Sequence, residues 1–145
     1  MQKMLLPLGL LLGACGGGSG SPTASPVSSS PQAVTAFMQA AADSNLTRMA
    51  ELWGTSQGPA SVRRPANYEK QIFVMQVYLR GDSTRILSDT AVPGDDNRRR
   101  VSMALYRGTC MKQIPVTTVR TRGGGWIVQS VDISFAGNPA RPCEP

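Results

Sequence analysis

"RRRVSMALYRG", Arg98 to Gly108, is the stretch on which the fold turns. Val101, Met103 and Leu105 alternate with Arg100, Ser102, Ala104 and Tyr106. A period of two belongs to a strand with one buried face and one open face. The same period begins just after Gly81, where Thr84 to Val92 reads as the preceding strand and "PGDDN", Pro93 to Asn97, as the turn between the two. Downstream, Gln113 to Arg122 reads as a third strand and Trp126 to Phe135 as a fourth, closed into a hairpin by the glycines at 123–125. In the fourth strand Ile127, Val131, Ile133 and Phe135 fall on one face. Asp132 falls on the other, with Trp126, Val128 and Ser130.

Before Gly81 the period is helical. Val34, Phe37, Met38 and Ala41 line one face of Gln32 to Asp43, and "DSN" then breaks the pattern and supplies a cap. Leu46 to Trp53 follows as a short helix with Leu46, Met49, Leu52 and Trp53 inward and Gly54 as its stop. "GTSQGPASVRRP" reads as a loop. Asn67 to Arg80 reads as a third helix, with Tyr68, Ile72, Met75 and Leu79 inward and Gly81 as its stop. Helices first and an antiparallel sheet afterwards define an α+β fold with the helices packed on one sheet face. This order, with the opening "PQAVTAFMQAAADSNLTRMAELWG", resembles the nuclear transport factor 2-like, or cystatin-like, group. The resemblance implies a curved, cone-like four-stranded sheet whose deep end is the ligand site. It also leaves open a homodimer through the outer sheet face.

The start of the chain carries an address. Lys3, the apolar run Met4 to Leu12 and the small pair Gly13-Ala14 form the three-part layout of an export signal. As a helix the apolar run rises only about 13 Å, less than half of a hydrocarbon core, so it is too short to span one. "LGAC", Leu12 to Cys15, resembles the lipobox of bacterial lipoproteins. That resemblance implies diacylglycerol on the Cys15 sulfur, cleavage of residues 1–14 and acylation of the new amino terminus. Two or three acyl chains anchor stably where one does so only marginally. Residues 16–31, "GGGSGSPTASPVSSSP", carry no charge, no aromatic side chain, and only Val27 as a sizeable apolar one. Such a composition reads as a disordered tether spanning ~22 Å on average. Residue 16 is glycine and not aspartate, which by the same resemblance favours the periplasmic face of the outer membrane in a cell with two membranes. The expected plan is thus a leader at 1–14, a lipidated tether at 15–31 and one domain at 32–145, a length with room for a single core.

The composition points away from most chemistry. There is no histidine, which removes the commonest general base and the commonest zinc ligand. Asp89 and Asp132 are the strand carboxylates, and Asp132 has no second carboxylate nearby in sequence to share acid and base duties. No catalytic set is expected and no cofactor motif is present; a cone-type isomerase or dehydratase would need one of these aspartates buried. With Cys15 lipidated, Cys110 and Cys143 are the remaining thiols, and in an oxidising space they most simply form a disulfide. Two cysteines fall short of a metal site, and the spacing is not that of a redox C-x-x-C pair.

The 15 basic against 9 acidic residues leave an excess of positive charge, nearly all of it arginine. Arg98 and Arg100 alternate onto one face of the second strand, and Arg120 and Arg122 onto one face of the third. If those strands are neighbours, the four form an anion-binding face, with Arg99, Arg107 and Lys112 at its edges. Nucleic acid is not the expected partner, because export removes the protein from it and no aromatic side chains interleave the arginines. The expectation is a membrane-anchored envelope protein whose domain binds a small apolar ligand or a protein partner. The alternative is binding of anionic lipid or polymer through the arginine face.

Overall fold

Ser29 starts the first helix. Its Oγ accepts a hydrogen bond from the Gln32 amide at 3.4 Å, and Pro31 sits in the first turn, where no amide proton is needed. The structure, a computed structural model, describes residues 26–145; Cys15, the leader and residues 16–25 lie outside the described residues. The first helix, α1 (Ser30–Ala42), leads into α2 (Leu46–Leu52), capped by Asn45 Oδ1 accepting from the Arg48 amide at 3.0 Å. Gly54 does not stop this helix. The chain turns extended at Trp53 and makes a miniature hairpin, β1 (Gly54–Thr55) with β2 (Gly58–Pro59), followed by the single turn α3 (Ala60–Arg63). The expected loop is therefore structured. The third predicted helix is α4 (Tyr68–Leu79).

Four strands follow: β3 (Ser83–Val92), β4 (Asp95–Arg107), β5 (Cys110–Arg120) and β6 (Trp126–Val131). They form one antiparallel sheet in sequential order, so the described residues make an α+β fold with four α-helices and a four-stranded sheet. Each hydrogen-bonded neighbour is also the neighbour in sequence, which keeps the loop-closure cost of the sheet low. Gly108, at φ +60°, takes the left-handed conformation that lets β4 and β5 join through two residues, with Arg107 opposite Cys110. The register pairs Val101 with Val116 and Met103 with Ile114, and all four side chains are buried. Onto this face pack Phe37 and Met38 of α1, Met49 and Leu52 of α2, and Ile72, Met75 and Leu79 of α4. The interface between helices and sheet is filled by these side chains, most of them with almost no exposure.

Buried polar groups stitch the layers together. The Ser30 and Thr118 hydroxyls meet at 2.6 Å between α1 and β5, and Gln76 Nε2 donates to Ala41 O and Ser44 Oγ, tying α4 to the end of α1. The β3–β4 turn is shorter than expected, because β4 already begins at Asp95. The fourth strand ends early as well. A bulge between Thr117 and Thr118 resets its alternation, so Ile127 pairs with Val119 on one face while Val131 pairs with Val116 on the other. After Val131 the chain enters a 3-10 helix, Ile133–Ala136, capped by Asp132, and Phe135 is left 55% exposed. Residues 26–31 also differ from the expected tether. The Trp126 amide donates to Val27 O at 2.9 Å, and the Val27 side chain packs against the core.

Arg107 closes the far end of the fold. Its guanidinium donates to Arg80 O at 2.8 Å, to Ala136 O at 2.6 Å and to Tyr78 O, so one side chain satisfies the last carbonyls of α4 and of the 3-10 helix. Gly81 serves a different purpose from the predicted helix stop. A Cβ there would lie 2.5 Å from Leu105 Cδ1 and 3.0 Å from Tyr106 O, so only glycine lets the chain pass this close to β4. Arg107→Met keeps much of the stem but leaves three carbonyls without a donor. The expected loss is about 3 kcal/mol or more, read as a lower midpoint in urea unfolding; an unchanged midpoint would remove Arg107 from this role.

Candidate functional site

Alternation along β4 and β5 fixes where each arginine goes. Paired residues share a face, and Arg98 stands opposite Val119 and Arg100 opposite Thr117. Both therefore lie on the outer face, away from the helices. Arg120 belongs to the alternate set of β5 and falls on the other side, where its guanidinium sits 5.9 Å from the centroid of the Trp126 ring. Arg122 lies beyond β5, in the turn, with its amide donating to Ser56 O at 3.0 Å. The strands are neighbours as supposed, but the four arginines do not share one sheet face. A one-residue offset between the two arginine pairs is enough to separate them, because side chains alternate with a period of two.

The supposed edge residues are committed elsewhere. Arg99 pairs with Asp89 at 2.7 Å, and Arg107 is only 8% exposed. Burial pushes the Arg107 pKa down from the usual arginine range, as expected for a guanidinium held by carbonyls and not by a carboxylate. Lys112 Nζ donates to Glu144 O at 2.7 Å in the C-terminal tail. What sequence reasoning missed is Arg85: it stands opposite Ala104 and joins Arg98 and Arg100 on the outer face. The position of Arg107 was readable, since it continues the inward series Val101, Met103, Leu105.

Neither strand aspartate is free. Asp89 is held by Arg99, and Asp132 Oδ1 accepts from the amide and hydroxyl of Ser134 as the cap of the 3-10 helix. Asp95 is held below the usual carboxylate range, first by its hydrogen bond from Arg98 and then by the Asn97 amide. A depressed folded pKa means that the contribution of this contact is complete above the ordinary carboxylate pKa and is lost as pH falls through the lowered folded value.

Several hollows open on the surface of the described residues, and three of them bear on function. A cleft of about 560 Å³ between α4 and β6 is lined by the apolar Trp53, Val74, Met75, Val131 and Ile133 and by the polar Asn67, Lys70, Gln71, Gln129 and Ser130. A wider groove of about 770 Å³ runs past Arg80, Asp82, Thr109 and Pro142 to the disulfide. A third, of about 400 Å³, lies where residues 26 and 27 meet Val62 and the turn before β6. All three fall in the size range of small-molecule sites. The deep interior, the ligand site that a cone-like fold implies, is occupied by core side chains. Among the described residues there is no group of three His, Cys, Asp or Glu placed to hold a metal ion, and no helix long and apolar enough to cross a membrane.

Cys110 and Cys143 are joined, with Cα atoms 5.3 Å apart, which pins the tail beside the start of β5. No protein-family model, curated protein or solved structure matches this chain. Closing a loop over the 33-residue separation limits the bond's contribution to about 3.5–4 kcal/mol in the chain-entropy treatment. Reduction, or Cys143→Ser, is expected to lower the unfolding temperature and to expose the tail to protease first. A reduced protein that unfolds and resists protease like the oxidised one would contradict a structural bridge.

Proposed function

We propose that this is an exported bacterial lipoprotein, anchored through lipid on Cys15, whose domain is a non-catalytic binding module. Export and anchoring rest on the "LGAC" motif and the short apolar leader before it. Its place is the cell envelope, on the periplasmic face of the outer membrane where the cell has two. The kinship with the nuclear transport factor 2-like cone belongs to the same reading. It draws on the order of helices before a sequential antiparallel sheet and on the parallel bridge from Trp53 to Val128 beside that sheet.

The observation that carries the binding role is the cleft between α4 and β6. Trp53, Val74, Val131 and Ile133 are all partly exposed there and are gathered on one concave surface, where a ligand can touch all four at once. Lys70 lines the same cleft and would favour an apolar ligand with an anionic end. The isomerase or dehydratase reading finds less support, since it requires a buried and uncommitted carboxylate and both strand aspartates are engaged.

The probe 1-anilinonaphthalene-8-sulfonate carries the matching chemistry, an apolar body and a sulfonate. Saturable fluorescence enhancement is expected with the folded protein, weakened at least tenfold by Val74→Trp and reduced by Lys70→Glu, with unfolding temperatures unchanged. No saturable binding, or binding that both variants leave intact, would overturn the assignment of the cleft.

A further inference from the structure

The chain joins its anchor at one defined point of the domain. Val27 O accepts from the Trp126 amide, and Pro26 lies so close to Gly125 that a Cβ on that glycine would sit 2.9 Å from Pro26 Cβ. Eleven Cα–Cα steps separate Cys15 from Pro26. Fully extended they reach ~40 Å, and as a coil ~18 Å on average. This end of the domain is therefore the one held nearest to whatever surface holds Cys15.

The elements around that point are tied together. The Arg122 amide donates to Ser56 O at 3.0 Å in the β1–β2 hairpin, and Arg63 Nη2 donates to Gln57 Oε1 at 3.2 Å in the same turn. Val62, Thr121, Gly123 and Pro26 line one shared hollow. On these elements stand four exposed arginines, Arg63, Arg64, Arg120 and Arg122. Among the described residues, none of the four has a carboxylate within 4.0 Å. Of the acids near these elements, Glu51 pairs with Arg48 at 2.8 Å and Asp95 with Arg98 at 2.7 Å, while Asp96 at the start of β4 and Glu69, which shares a hollow with Ser61 of α3, are exposed. Beside Arg63 stands Val62, 72% exposed, more than any other large apolar side chain among the described residues.

We propose that this end of the domain is a docking surface for the anionic bilayer that holds the anchor. Arg63, Arg64, Arg120 and Arg122 meet lipid phosphates, and Val62 enters the interfacial layer; the proposal rests on the lipid anchor at Cys15. Guanidiniums suit this task because they bind phosphate oxygens bidentately and stay charged at a surface. Attraction to anionic lipid acts within about 8 Å in physiological salt, and a connection of ~18 Å on average keeps the patch close enough to reach that range repeatedly. The outer face with Arg85 and Arg100 lies on the far side of the sheet from the helices and is not needed for this contact.

The test uses the mature full-length chain with Cys15→Ser, so that binding reads the protein surface alone. Sedimentation with phosphatidylglycerol vesicles is expected to carry the protein down, and phosphatidylcholine vesicles are expected to leave it in solution. Converting Arg63, Arg64, Arg120 and Arg122 to Gln should weaken partitioning about fivefold for each arginine removed, while Arg85→Gln with Arg100→Gln leaves it unchanged and unfolding temperatures stay level. Equal sedimentation with both lipids, no sedimentation with either, or an equal loss in the Arg85/Arg100 pair would overturn the proposal. The anchor is tested separately by the mass of residue 15 in the wild-type protein. An unmodified Cys15 with intact vesicle binding removes the anchor and keeps the patch, and a lipidated Cys15 with no vesicle binding does the reverse.

Discussion

The pairing of β4 with β5 is the constraint on which the rest depends. Placing Val101 against Val116 and Met103 against Ile114 makes one continuous apolar surface, and α1, α2 and α4 are shaped to cover it. The same pairing sends Arg98 and Arg100 outward. It also sends Arg107 inward to the ends of α4 and the 3-10 helix. Shifting the register by one residue would bury arginine and expose the core in a single step, which is why the two-residue turn at Gly108 and Thr109 matters so much. Core, charge distribution and helix ending are three readings of one ladder.

Arg107 shows how a charge can be retained inside such a fold. A guanidinium without a carboxylate partner would normally be poorly placed in a sheet that faces helices. Here its donors meet carbonyls at the ends of two helices, where backbone acceptors are unsatisfied and the helix dipole is negative. The Cys110–Cys143 bond lies at the same end of the sheet, so the two devices hold adjoining parts of the C-terminal region. The opposite end is built differently. It gathers exposed arginines, an exposed valine and the point where residues 26 and 27 join the fold. One end is locked and the other carries exposed charge.

Much of this was legible in the residues. The switch of period at Gly81 separates helices from strands, and the alternation in "RRRVSMALYRG" gives the buried face of β4. Four features escape the residue pattern, each for a physical reason. The bulge opposite Thr117 and Thr118 reverses the alternation within β6, and no residue type there announces it, so Ile127 and Val131 were wrongly grouped on one face. The β1–β2 hairpin is only two residues on each side and reads as loop. The relative offset of Arg98 and Arg120 depends on the length of the β4–β5 turn, and alternation within each strand carries no information about it. Val27, the one sizeable apolar residue in the supposed tether, docks on the core, a signal that composition averaging hid.

The most direct check on the account is therefore the register itself, measured in solution by cross-strand nuclear Overhauser contacts along β4 and β5. The account predicts backbone contacts linking Val101 with Val116 and Met103 with Ile114, and Arg98 with Val119. Contacts linking Arg98 with Arg120 would contradict it, because that one-residue slip would return the arginines to a common face and dismantle the core described above.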